Sequence, residues 1–452
     1  MTRLMKRIAI LLPLALALLL SACGGESSLP KATGKASVRA INAMSGSAEL
    51  VFLIEERTIG NLTYRSATAI SSWDDLDYTF NFDAFFAGDT QLTRIASQYI
   101  DFVADQEYTL VISGTLGNPS LAVWESAKRQ FAAGDTVFQV RFSQYANYFT
   151  DPIDFYFAAA GIAPASGEAV ASLSFGEIAP ARDFEAGSYV LTITSADNPA
   201  DILFTSDEVS YAAQSDLIIS PFDATANDIG EFTVQVFGLS GGTGSLADSS
   251  IPAAVEFLHA AQDLGTSDIY DDETLLSRIL ANHAYTDLSA EISITPGLNT
   301  FRYTPAGDTT AVTLEGDLAA SPGKRYRFVA GGVSPDFVAT VAPVDRQPID
   351  SAAKIGFYQT SNNFDFLNLY LVDQGETIDG KSPSRTGFPP FASAPALSVI
   401  PGNYDAYVTE FGATDILAGP VNVNVTLGDV IELIVFDTAD PAVLDLRLFG
   451  TP

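Results

Sequence analysis

Few residues in this chain have the types and spacing that chemistry needs. Gly238-Leu239-Ser240-Gly241-Gly242 satisfies Gly-x-Ser-x-Gly, the pattern of a hydrolase nucleophile elbow. An elbow needs a helix directly after its serine, whereas Gly241-Gly242-Thr243-Gly244-Ser245 leads into what reads as a linker. The only histidines, His259 and His283, are the only candidate bases of that type. Neither has a nucleophile partner in sequence, and both are expected at the surface or rim of strands. Carboxylates crowd twice: Asp74, Asp75 and Asp77 flank Trp73, and Asp268, Asp271, Asp272 and Glu273 share one turn. Crowded hard oxygens suit Ca²⁺, which makes the second group a weak calcium site candidate, with a solvated acidic turn as the plainer reading. Trp73 and Trp124 suit either carbohydrate contact or a core anchor. One cysteine, Cys23, excludes an internal disulfide, and with two histidines it excludes the usual zinc and iron ligand sets. No catalytic and no cofactor-binding residue is expected.

The elements that would position these residues follow from composition and pattern. The chain has 452 residues, 47% of them apolar, which is enough for two to four packed cores. Asp and Glu number 55 against 23 Lys and Arg, for a formal charge of -32. Such a surface repels phosphate backbones, so no nucleic-acid partner is expected.

Arg3, Lys6 and Arg7 precede the apolar run Ile8 to Leu20, and Leu20-Ser21-Ala22-Cys23 follows. The run is too short for a bilayer span and reads as a secretory signal. The Leu-Ser-Ala-Cys string resembles the lipobox of bacterial lipoproteins. The resemblance implies cleavage after residue 22, acyl chains on Cys23 as the lipid attachment, and a membrane partner held through those chains. Gly24, where Asp would signal inner-membrane retention, implies the outer membrane. Residues 23–35, rich in Gly, Ser and Lys, read as a lipidated flexible tether.

Period-two alternation dominates the body. Examples are Phe138, Val140 and Phe142 around Gln139 and Arg141, and Val421, Val423 and Val425 around Asn422 and Asn424. Alternation of this kind sets one row on a core and the other in water, as in an antiparallel strand. The order of features recurs four times at about 100 to 115 residues, the length of a sandwich domain. Opening strands lie at Ser37–Ile41, Phe138–Phe142, Val255–Leu258 and Lys354–Tyr358, and isolated aromatics follow at Tyr64, Phe175, Tyr285 and Phe388. The expected fold is all-β: sandwich modules at residues 36–128, 135–240, 251–345 and 351–452, after a signal peptide at 1–22. The Gly/Ser-rich stretch 238–250 is the expected hinge between two pairs of modules. Asp271 to Leu280 has apolar residues at helical spacing, but the repeat context favours a hairpin turn there.

The stretch Val255 to Val329 carries Asp268-Ile269-Tyr270, Leu276, Leu280, Tyr285, Pro296-Gly297 and Gly323-Lys324-Arg325-Tyr326. In this it resembles the bacterial envelope family catalogued as domain of unknown function 4397, found in tandem in lipoproteins. The resemblance implies immunoglobulin-like antiparallel sandwiches and no reaction. The expected function is therefore a non-catalytic binding, adhesion or structural role for an outer-membrane lipoprotein, facing the periplasm or the surface, with a protein or glycan partner. The alternative is a carbohydrate-active or other hydrolytic lipoprotein using Asp and Glu.

Overall fold

The computed structural model describes residues 31–450 apart from 165–167, 239–240 and 393–394. Cys23, the signal segment, Leu239 and Ser240 lie outside the described residues. Those that are described form eight small sheets, stacked two by two into four sandwiches. In each sandwich one sheet joins the fourth, first, seventh and eighth strands and the other joins the third, second, fifth and sixth. The second sandwich adds Val209–Tyr211 and Thr243–Leu246 to this order. Neighbouring strands are antiparallel except that each opening strand runs parallel to the seventh: Lys35–Asn42 beside Gln106–Thr115, Val137–Phe142 beside Asp216–Asp223, Ala253–His259 beside Arg325–Val333, and Ala353–Gln359 beside Val430–Asp437.

Alternation builds each core. Val38 and Ala40 face Phe52, Phe80 and Phe82 across the first sandwich, and Val255 and Phe257 face Phe301 and Tyr303 across the third. Each fully buried ring contributes about 1.5–3 kcal/mol relative to exposure. The other row of the opening strands is largely shielded from water, contrary to the expectation from alternation. Arg39 and Ile41 are 0% and 1% exposed, and Arg141 is 4% exposed. Their outer face is covered by a neighbouring sandwich, so these strands are buried on both sides. Ile41, Ala43 and Val111 of the first sandwich pack on Tyr145, Ile218, Phe222 and Phe237 of the second. Leu258, Ala260 and Val329 of the third pack on Tyr358, Ile434 and Phe436 of the fourth. The sandwiches thus associate in two pairs. Gly331 takes part in the second: a Cβ there would lie 2.1 Å from the ring of Phe391, so only glycine admits that ring.

Two local expectations meet different outcomes. Asp271 to Ser277 forms a turn and Arg278–His283 a strand, as the repeat context required. The Asp272 carboxylate accepts the N–H groups of Leu276 and Ser277, and Leu276 is 85% exposed, so its apolar spacing packs against nothing. The stretch read as a hinge instead contains a strand, Thr243–Leu246, which pairs with Val234–Phe237 and extends the second sandwich. Its small residues suit an added edge strand as well as a linker. The two pairs meet at the loop 224–231. There Asp228, 3% exposed, receives Arg65 of the first sandwich at 2.8 Å and Lys324 of the third. Gln347 bridges the same loop to the first sandwich, accepting the Ala226 N–H and donating to the Ser45 carbonyl.

Candidate binding clefts

The buried charges of the sheet faces are consumed by each other. Arg39, Glu107, Arg141 and Asp216 form a row of alternating sign between the first two sandwiches, at 3.2, 3.4 and 3.1 Å. Arg346, Glu256, Arg327 and Glu432 form a second row between the last two, with Arg346 to Glu256 at 2.6 Å and Glu256 to Arg327 at 2.7 Å, and Arg327 then pairing with Glu432. Removing one member strands its partner in a low-dielectric interface, so these are structural contacts rather than a reactive site.

The histidines are buried, not at a rim: His259 is 0% and His283 4% exposed. His259 stands at the end of its opening strand, where the other sandwiches carry Asn42, Gln144 and Gln359, and like them it ties down the following loop. Its Nε2 donates to the Gly265 carbonyl at 2.7 Å, as Asn42 donates to Ser47, Gln144 to Ala146 and Gln359 to Phe364. The two rings lie 5.6 Å apart. Burial, then the neighbouring His259, lowers the pKa of His283 to about 4, and burial lowers that of His259. Both rings are therefore neutral at pH 7, and among the described residues no serine or cysteine nucleophile hydrogen-bonds to either.

The acidic turns are likewise engaged. Asp268 is 0% exposed and accepts from Arg278 at 2.8 Å, the Asn282 N–H at 2.8 Å and the Gly307 N–H at 3.1 Å. Burial alone would raise its pKa, but these donors hold it below the ordinary carboxylate range. Asp271, Asp272 and Glu273 do not join it: among the described residues no group of three or more His, Cys, Asp or Glu is placed to hold a metal. Asp74 pairs with Lys35 at 2.8 Å, and Asp75 accepts the Thr33 and Gly34 N–H groups where the chain enters the first sandwich. Asp77 lies opposite Asp101 in a strand ladder.

The two tryptophans behave differently: each packs on one side and lines a cleft on the other. Trp73 sits on Tyr78 at 5.5 Å in the flank of the first core and donates its Nε1–H to Ser71. It borders a cleft of about 300 Å³ with Arg57, Thr58, Ile59, Ser71 and Ser72. Arg57–Leu62 and Ser71–Asp74 are facing edge strands of the two sheets, so the cleft is the gap between them. Trp124 packs on Tyr145 of the second sandwich at 5.6 Å. It borders a cleft of about 550 Å³ with Ser172, Gly176, Glu177, Pro180 and Arg182, again between facing edge strands, Ala171–Leu173 and Arg182–Glu185. Both volumes suit a small ligand, with an aromatic wall, hydroxyls and the free backbone of an edge strand. The first cleft has no carboxylate in its lining, and the second has only Glu177, which accepts the Ser174 N–H. Hydrolysis of a glycoside by two opposed carboxyl groups has no pair to use in either. Arg57 and Arg182 were not singled out by sequence reasoning. Glu56 and Asp183 stand beside them in the chain and suggest ordinary surface pairing, so no sequence signal marks them.

The profile of a family described as a domain of unknown function, DUF4397, matches residues 253–370. Those residues span the third sandwich and the opening two strands of the fourth. No curated protein is similar to the chain at a significant level. Among solved structures, the TIE protein of Bacillus anthracis is 10% identical over 90% of this chain and 69% of that one, with a TM-score of 0.15. The family CBM26 module CBMbc of Eubacterium rectale Amy13K, solved in complex with maltoheptaose, is 11% identical over 44% of this chain and 95% of that one, also with a TM-score of 0.15. At that score neither likeness bears on the fold or the ligand of this chain. What fold and match establish together is a chain of β-sandwiches whose residues 253–370 match the DUF4397 model.

Proposed function

We propose that this chain is a non-catalytic lipoprotein, held to the outer membrane by acyl chains on Cys23, whose sandwiches present a glycan-binding flank to the cell envelope. The lipobox-like string and the single cysteine support the anchor. One observation carries the binding role: both tryptophans of the chain, though partly packed, leave a face in an open cleft between edge strands. A buried Trp would serve stability alone, whereas a ring facing a polar cleft offers the flat apolar surface on which sugar rings stack. The neutral buried histidines and the engaged carboxylates favour binding without bond-making.

Two measurements test this reading. Replacing Cys23 with Ser should move the protein from the outer-membrane fraction to the soluble fraction; unchanged fractionation overturns the anchor. Calorimetric titration of the mature chain with envelope oligosaccharides should show binding that is lost in Trp73→Ala and Trp124→Ala. Binding unaffected by both changes overturns the role of the clefts.

A further inference from the structure

Among the described arginines, ion pairing is the rule in a chain so rich in acids. Arg39, Arg65, Arg94, Arg129, Arg141 and Arg278 each reach a carboxylate. So do Arg302, Arg325, Arg327, Arg346 and Arg447. Arg385 donates to the carbonyls of Pro395 and Ala396 instead. Arg57 and Arg182 remain, exposed and with no acid or carbonyl acceptor for their side chains. These two line the two tryptophan clefts.

The acids nearest to them in sequence are committed elsewhere. Glu55 accepts the Thr79 N–H at 2.8 Å and Glu56 meets Arg94 at 3.4 Å. Asp183 is held by Arg129 at 2.9 Å and by Gln139 at 3.1 Å. The first cleft therefore keeps an uncompensated positive charge although the chain carries -32, whereas in the second Arg182 shares the lining with Glu177. Distant acids are screened beyond about 8 Å at physiological ionic strength, so the local cation decides what enters. In the first cleft the Arg57 guanidinium lies over the Trp73 ring, 5.4 Å from its centroid. A cation at that distance is attracted by the ring face, and a guanidinium carries its N–H donors in the fork geometry that suits a carboxylate or phosphate.

We propose that the first cleft selects sugars bearing a negative charge, a carboxylate or a phosphate, with Arg57 as the specificity-determining residue. This rests on the glycan reading above and adds the charge of the ligand to it. Thr58 and Ser72 in the lining of the same cleft carry hydroxyls that suit the neutral hydroxyls of a sugar.

The test titrates the mature protein with a galacturonate hexamer, with its methyl ester, which has the same backbone and no charge, and with a phosphorylated mannose oligosaccharide. The acid should bind about tenfold or more tightly than the ester at 0.15 M NaCl, and 0.5 M NaCl should narrow the difference. The change Arg57→Gln should bring the acid down to the level of the ester, with an unchanged melting temperature because the side chain is exposed. Binding of the phosphorylated sugar alone supports the proposal with phosphate as the anion. Equal binding of acid and ester by the unaltered protein overturns charge selection and leaves the glycan reading standing. No binding of any of the three sugars overturns both.

Discussion

The first and second sandwiches are joined across a buried row of four charges, and so are the third and fourth, but the rows are built from different positions. At the same place in the opening strands stand Arg39, Arg141, Glu256 and Gly356. In the first pair both arginines come from opening strands, and the acids Glu107 and Asp216 from the strands beside them. In the second pair the opening strand supplies the acid Glu256, the arginine Arg327 lies opposite it, and Arg346 arrives from the segment that leads into the fourth sandwich. Each row is neutral overall, so each sandwich completes its own partner. A first sandwich placed against a fourth would set Arg39 and Glu107 against a glycine and Glu432, and two acids would share one arginine. The inverted signs thus favour the observed pairing over a mismatched one, at the desolvation cost that any buried ion carries.

The largest expected effect comes from breaking a row at its centre. Arg327→Met strands Glu432 and leaves Glu256 with one partner, and Glu107→Gln strands Arg39. Each should destabilise its own pair by about 3–5 kcal/mol in urea unfolding, with the other pair unaffected. If both variants shift the same transition equally, the pairs are not independent units and the comparison fails.

Acid should separate the pairs next, because both histidines lie in the second. Unfolded histidine titrates near 6.5, while His283 stays neutral in the fold until about pH 4. Below pH 6.5 the unfolded chain binds a proton that the folded chain refuses. Stability from His283 is therefore complete above 6.5 and falls as the pH drops toward 4, by about 3 kcal/mol in all. His259 has the same sign. Unfolding followed from pH 7.5 to 4.5 should weaken the second pair first. His283→Gln should flatten that dependence, and His259→Gln, which restores the residue type of Gln144 and Gln359, should reduce it.

The joint between the pairs gives a smaller effect of the same sign in a lower pH window. Burial would raise the pKa of Asp228, but Arg65, Lys324 and the Thr225 N–H bring it to about 2. Its contribution is present above the unfolded value of 3.8 and lost as pH falls through 2, about 2 kcal/mol in all. Asp228→Asn should remove that amount at pH 7 and should widen the gap between the unfolding transitions of the two pairs. An unchanged gap would show that backbone bonds such as Asp350 N–H to Gly46 hold the joint alone.

The sequence made the sandwiches legible, because alternation and turn residues are local. Val38 and Ala40, or Val421 and Val423, announce a strand whatever lies beyond it. What alternation cannot say is whether the second row meets water or another protein face, and so Arg39, Arg141 and Glu256 read as surface residues. The histidines misled for the same reason: His259 fills a polar slot that Asn and Gln fill elsewhere, and only the aligned loops reveal it. The aromatic following the third strand was legible at Tyr64, Phe175 and Tyr285 and misplaced in the fourth unit. There the residue whose N–H bonds the opening strand's end is Phe391, at the position of Arg65, Gly176 and Thr286, so Pro390 takes the aromatic's place and Phe388 packs on Phe357. The tryptophans were readable as candidates, whereas the unpaired arginines beside them were not, since pairing is a property of the folded surface.

That recurring aromatic supplies the finest comparison of the pairs. Tyr64 crosses from the first sandwich to the second, donating to the Asp223 carbonyl at 3.0 Å with its ring edge-on to Phe222 at 6.2 Å. Tyr285 crosses from the third to the fourth, donating to the Asp437 carbonyl at 2.8 Å, edge-on to Phe436 at 5.9 Å. The ring packing survives a change to Phe, so only the hydrogen bond is lost, worth about 1 kcal/mol. Tyr64→Phe and Tyr285→Phe should therefore lower the stability of their own pairs by equal amounts, although the charge rows beside them differ. Unequal losses in urea would mean that the tyrosine bond is coupled to the neighbouring row, and a double change of Tyr285→Phe with Arg327→Met would measure that coupling directly.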